Sequence, residues 1–162
     1  MLTAEVMRVA SSAYHRGGQP VAGLAMAIQR IGTRGVQAAI ARVVMKPLYD
    51  TPAGTLGACA AARLWDWSDA LARRMAAAVE AATAQPAAAS VFDGYLAGLL
   101  HGTGWTVALR VLDRAGIGLE PLPSDAAALA LVQRAHALFG LAAGRWDITP
   151  AFVAFAADAR VR

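Results

Sequence analysis

The chain has a single cysteine, Cys59, so no disulfide can close within it, and a reducing compartment suits it. Charge is also scarce. Asp, Glu, Lys and Arg make up 16% of the residues against 57% hydrophobic ones, a balance that excludes a disordered chain. Aromatic residues are few, and much of the apolar content is alanine, which favours helix but buries little area per residue. The four Trp and four Phe must therefore anchor the core. Residues 1–5 lack the basic start and apolar run of a secretory leader. The most membrane-like stretch, residues 94–109, is too short to span a bilayer and carries His101. These absences predict a soluble, cytoplasmic chain without membrane association, and its length predicts one domain over residues 1–162.

Several chemistries lack their residues. There is no His-Glu-x-x-His, no Cys-x-x-Cys, no phosphate-binding P-loop and no Gly-x-Ser-x-Gly. Gly102-Thr103-Gly104 and Gly116-Ile117-Gly118 are fragments that follow no strand, so a dinucleotide fold is not expected, and no cofactor is. Cys59 lies among alanines without a basic neighbour in sequence and reads as a small buried hydrophobe.

What is present is helical spacing almost throughout, with no sustained strand-like alternation, so the fold class is all-α. Helices are expected over about residues 2–13, from Pro20 to Ile31, and from Thr33 to Lys46, broken near Gly32 and ended by Pro47. The longest should run over residues 52–82, capped by Thr51, with Leu56, Ala60, Leu64, Trp67, Leu71, Met75 and Ala78 as its buried stripe. Asp69 and Arg73 form an i,i+4 pair on another face. Ser90 with Asp93 reads as a capping box, Ser124 as a further cap, and Thr149-Pro150 as the start of a last short helix. The breaks fall at residues 15–20, 85–86 and 116–123.

The net charge of +4 sits in the first third, where Arg8, Arg16, Arg30, Arg34, Arg42 and Lys46 face only Glu5 and Asp50. Arg8, Arg30, Arg34, Arg42 and Lys46 are thus a candidate face for an anionic partner. No basic run is dense and no aromatics interleave with it, which favours a solvated face over nucleic-acid binding.

Three stretches carry a resemblance to a known family. Residues 6–14 and 27–32 are similar to a helix end and a later Ala-Ile…Gly helix. Leu64-Trp65-Asp66-Trp67-Ser68 precedes Tyr95-Leu96-Ala97-Gly98-Leu99-Leu100-His101-Gly102, and His136-Ala137-Leu138-Phe139-Gly140 leads to Arg145-Trp146-Asp147-Ile148-Thr149-Pro150. Together they resemble the HDOD domain, a bacterial signalling relative of the HD phosphohydrolases. The likeness covers nearly all of the chain but begins after helices that family members carry at their N-terminus.

The resemblance implies a compact multi-helix, HD-like bundle acting as a signal-transduction output or protein-interaction module. HD enzymes hold divalent metal with a His, a His-Asp pair and a further Asp. Here Trp67 stands at the first His and Gly102 at the Asp of the pair, and neither can supply a ligand. A non-enzyme without bound metal is therefore expected, with Trp67, His101, Gly102 and His136 marking a vestigial pocket whose space the Trp67 indole fills. His101 and His136, the latter on a stripe with Leu129, Val132 and Phe139, read as satisfied histidines, and His15 as an exposed loop residue. Expected partners are another protein, or a second copy through apolar residues of the first helices such as Leu24, Ile28 and Ile40. The rival readings are a diverged HD phosphohydrolase acting on a nucleotide or cyclic dinucleotide, and a nucleic-acid-binding regulator using the basic face.

Overall fold

The computed structural model describes residues 1–14, 20–82, 90–117 and 124–158. All regular structure among them is helical, as the spacing predicts. The elements are α1 (Leu2–Tyr14), α2 (Leu24–Met45), a 3-10 turn (Lys46–Leu48), α3 (Leu56–Ala82), α4 (Val91–His101), α5 (Thr103–Arg114), α6 (Asp125–Trp146) and α7 (Pro150–Asp158). They fall into two units, Met1–Pro47 and Leu48–Arg162. The expected positions of His15, of the 85–86 break and of most of the 116–123 loop lie outside the described residues.

In the first unit α1 packs on α2 around Val6, Ala10, Ala27 and Ala39, with Met7, Val9, Val21 and Ile31 closing over them. The expected break at Gly32 is real. Its φ of 63° with ψ of −176° is open to glycine at little cost, and it turns α2 into two helical segments. Glu5 accepts from Arg8 Nη2 and from Arg42 Nε, both at 2.6 Å. The Arg8 bond, joined by Arg42, holds the Glu5 carboxyl below the usual carboxylate range despite partial burial. Two cations of the proposed anionic-partner face therefore already share an internal carboxylate.

The second unit is built on α3 against α4. Gly94, Gly98 and Gly102 recur every four residues, so they form one ridge of α4 and its end. A Cβ at Gly98 would lie 2.6 Å from Ala72 Cα, and one at Gly94 would lie 3.1 Å from Met75 O. The two backbones meet where no side chain fits between them. This contact corrects the expected stripe of α3. Its buried residues are Gly57, Trp65, Ser68, Asp69 and Ala72, whereas Trp67 and Ala78 are exposed. Stepping by one residue turns a helix by about 100°, and the glycine ridge selects the face with small residues rather than the one with most apolar bulk. Asp69 makes the expected pair with Arg73, but it lies on the buried face and not on a separate one.

The start of α3 differs too. Thr51 does not cap it; Thr55 Oγ1 accepts from Ala58 N, while the Asp113 carboxylate of α5 accepts from Leu56 N at 2.8 Å and Gly57 N at 3.3 Å. Periodicity alone could not place a cap contributed from residues so distant in sequence. Cys59 is exposed, because it lies off the buried face of α3. Of the described helices, α6 is long and apolar enough to cross a membrane. Ala135, Phe139, Gly140 and Ala143 are its buried residues, and it packs on α5 and α7. Residues 94–109, by contrast, divide into α4 and α5 at Gly102.

The predicted caps at Ser90, Ser124 and Thr149 all form, and two of them join. Asp93 Oδ2 accepts from Ser90 N and Oγ, and its Oδ1 accepts from Thr149 Oγ1 at 2.6 Å, while Thr149 Oγ1 accepts from Phe152 N. Burial pushes the Asp93 carboxyl up, but the Thr149 and Ser90 bonds outweigh it and hold it below its ordinary value. The stability from this group is thus present above the ordinary aspartate range and lost as pH falls below it. Thr149→Ala removes one cap and one bond to a charged group, and should cost about 1–2 kcal/mol in urea denaturation. An unchanged midpoint would mean that α7 is held by packing alone.

Candidate functional site

The residues singled out by the resemblance come together. Trp67 on α3, His101 at the end of α4, and His136 and Phe139 on α6 form one ring cluster. His101 lies at its centre, 5.2 Å from Trp67, 5.1 Å from His136 and 5.2 Å from Phe139 between ring centroids. These are edge-on or tilted contacts, the arrangement that aromatic quadrupoles favour. Phe139 is fully buried and passes the contact on to Phe152 of α7, edge to face at 6.2 Å.

Burial, with the His136 imidazole beside it, pushes the His101 ring down to a pKa of about 4. It is neutral at physiological pH. Its Nδ1 is buried without a hydrogen-bond partner, so His101 is the half-buried histidine at a helix end that was expected, but it is not satisfied at that nitrogen. His136 is half-buried in contact with His101, while Leu129 on its expected stripe is exposed.

Trp67 is 44% exposed, so its indole does not fill a cavity. It meets His101 edge to face, and nearly half of the residue stays open to solvent. The tryptophan that does enter the core is Trp65, edge to face with Tyr49 at 5.4 Å.

Beneath His101, the place of the missing acidic residue is closed. A Cβ at Gly102 would strike Ser68 Oγ and lie 2.9 Å from Tyr49 Cε1 and 3.0 Å from its hydroxyl. Tyr49 and Ser68 are fully buried. The Tyr49 hydroxyl donates to the Leu99 carbonyl at 2.5 Å and is hydrogen-bonded to Ser68 Oγ at 3.1 Å. Burial drives its pKa up to about 12, so it stays a neutral donor. Sequence reasoning found Gly102 but not Tyr49. The only hint was a tyrosine just past Pro47, in a segment too short to show any period.

The metal that HD enzymes use does not fit these side chains. His101 and His136 are the only metal-ligating side chains in the ring cluster, and the described residues hold no group of three or more His, Cys, Asp or Glu suited to a metal. An acidic side chain has no room at Gly102, whose neighbours are a tyrosine ring and a serine.

The basic residues singled out in the sequence belong to the first unit. Arg8, Arg34 and Lys46 are exposed, Arg30 is half-buried, and Arg42 is tied to Glu5.

No curated protein and no solved structure matches the chain. The family model for the HDOD domain does, over residues 1–160, across both units and every stretch that carried the resemblance. With an all-helical fold, a retained His101 and a closed Gly102, the chain belongs to the HDOD domain family.

Proposed function

We propose that the chain is a non-catalytic output or protein-interaction module of a bacterial regulatory pathway. The observation that carries this reading is the packing over Gly102. Tyr49 and Ser68 occupy the space in which a metal-binding carboxylate would have to stand, and their hydrogen bonds hold them there. Hydrolysis of a phosphoester by the HD route needs that carboxylate to hold the metal that activates water. Exposed Leu24, Ile28 and Ile40 on α2 supply apolar surface for a protein partner or a second copy. The pairing of Arg8 and Arg42 with Glu5 weighs against a phosphate-binding face on the same unit.

The test joins metal content to turnover. Purified without chelator, the protein should hold far less than one equivalent of Mn, Fe, Mg or Zn. It should hydrolyse cyclic nucleotides and nucleoside phosphates no faster than a His101→Ala variant. Near-stoichiometric metal that is lost with His101→Ala, together with turnover, would establish the enzyme instead. Reversible association weakened by Ile40→Asp at unchanged helical content would locate the interaction surface on α2.

A further inference from the structure

The second unit has a further feature that shares no residue with the ring cluster. The N-terminus of α3 and the C-terminal turns of α5 border a cleft of about 520 Å³ lined by Thr51, Pro52, Thr55, Arg110, Asp113 and Arg114. That volume is in the range of small-molecule sites and far exceeds what a water or a simple ion needs. The charge of its lining is uneven. Both oxygens of Asp113 accept from Leu56 and Gly57 N–H at the positive end of α3, so this one anion of the lining is engaged at the helix start and stands against two arginines. Arg110 and Arg114 stand one turn apart on α5, and neither has a carboxylate partner among the described residues. The Arg110 Nη2 donates to the Asp50 carbonyl at 2.8 Å, which fixes the guanidinium and leaves its other donors available.

We propose that this cleft binds a small phosphorylated molecule, with Arg110 and Arg114 taking the phosphoryl group. Two guanidinium forks present the planar donors that match phosphate oxygens, and one of them is already oriented before the ligand arrives. The volume beyond a phosphoryl group accommodates a sugar or a nucleoside. The proposal stands apart from the role assigned above, since it uses none of His101, Trp67 or the exposed residues of α2. It would make the cleft an input site.

The test is a titration of the full chain with AMP, ribose 5-phosphate and inorganic phosphate, followed by backbone amide shifts in NMR. Saturable shifts at residues 51–57 and 110–114 are expected for AMP, ribose 5-phosphate or both. Binding of AMP alone assigns a nucleotide, and equal binding assigns the sugar phosphate. Arg114→Gln should weaken the binding by about tenfold or more. Arg114 is exposed, so the fold should survive the change, and Arg110→Gln gives a second variant. Arg74→Gln, an exposed arginine elsewhere on α3, should leave the affinity unchanged. No saturable shift at millimolar ligand, binding of inorganic phosphate alone, or equal loss in Arg74→Gln would overturn the proposal.

Discussion

Gly102→Asp should cripple the second unit rather than restore a metal site. Its Cβ would meet Ser68 Oγ and the Tyr49 ring, two groups that are fully buried and hydrogen-bonded to each other. Making room means displacing Tyr49, and with it the bond to the Leu99 carbonyl. The cost combines overpacking with a buried carboxylate and unpaired polar groups, about 3–5 kcal/mol or more. Gly102→Ala isolates the steric part and should cost about 1–3 kcal/mol. Ser68→Ala removes the nearest clashing atom, so the double variant should be less unstable than the sum of the two single ones. Chemical denaturation of the four variants reads this directly. A loss under about 1 kcal/mol for Gly102→Asp would mean that Tyr49 and Ser68 can step aside, and the pocket would then be vestigial in sequence but not in space.

The helices, the break at Gly32 and the caps at Ser90, Ser124 and Thr149 were legible because each rests on local chemistry. Gly32, the Ser90–Asp93 box and the Thr149-Pro150 start are set by neighbours within four residues. The ring cluster was legible through the family motifs, which name His101 and Gly102 by position. What escaped was set by contacts between distant segments. The face of α3 depends on the glycine ridge of α4, so Trp65 and Ser68 turned inward while Trp67, the more prominent motif residue, stayed half in water. Asp113 caps a helix that begins more than fifty residues earlier, and Tyr49 fills the space left by Gly102 from a connecting segment. No period or spacing in the chain carries such information, since these pairings exist only once the helices cross.

The same packing makes His101 a source of acid lability. In the unfolded chain the imidazole titrates at about 6.5; in the fold, burial among Trp67, His136 and Phe139 brings it down to about 4. Between those two values the unfolded state binds a proton that the native state refuses, so stability falls as pH falls. The contribution is fully present above about pH 6.5 and is gone below the folded value. The whole interval corresponds to about 3 kcal/mol, and partial contact of the ring with solvent reduces this to about 2 kcal/mol. His101→Phe keeps a ring in the cluster and removes the proton site. Between pH 7 and about pH 4.5, the parent protein should therefore lose about 2 kcal/mol more than this variant. That window lies above the range in which Asp93 gives up most of its contribution. His136→Gln removes the neighbouring imidazole that helps lower the His101 ring, and should return part of the loss. Urea denaturation at the two pH values supplies the difference, and an NMR titration of the ring supplies its origin. A His101 ring that titrates near 6.5, with the parent and the Phe variant equally sensitive to acid, would place the imidazole in water and remove it from the core.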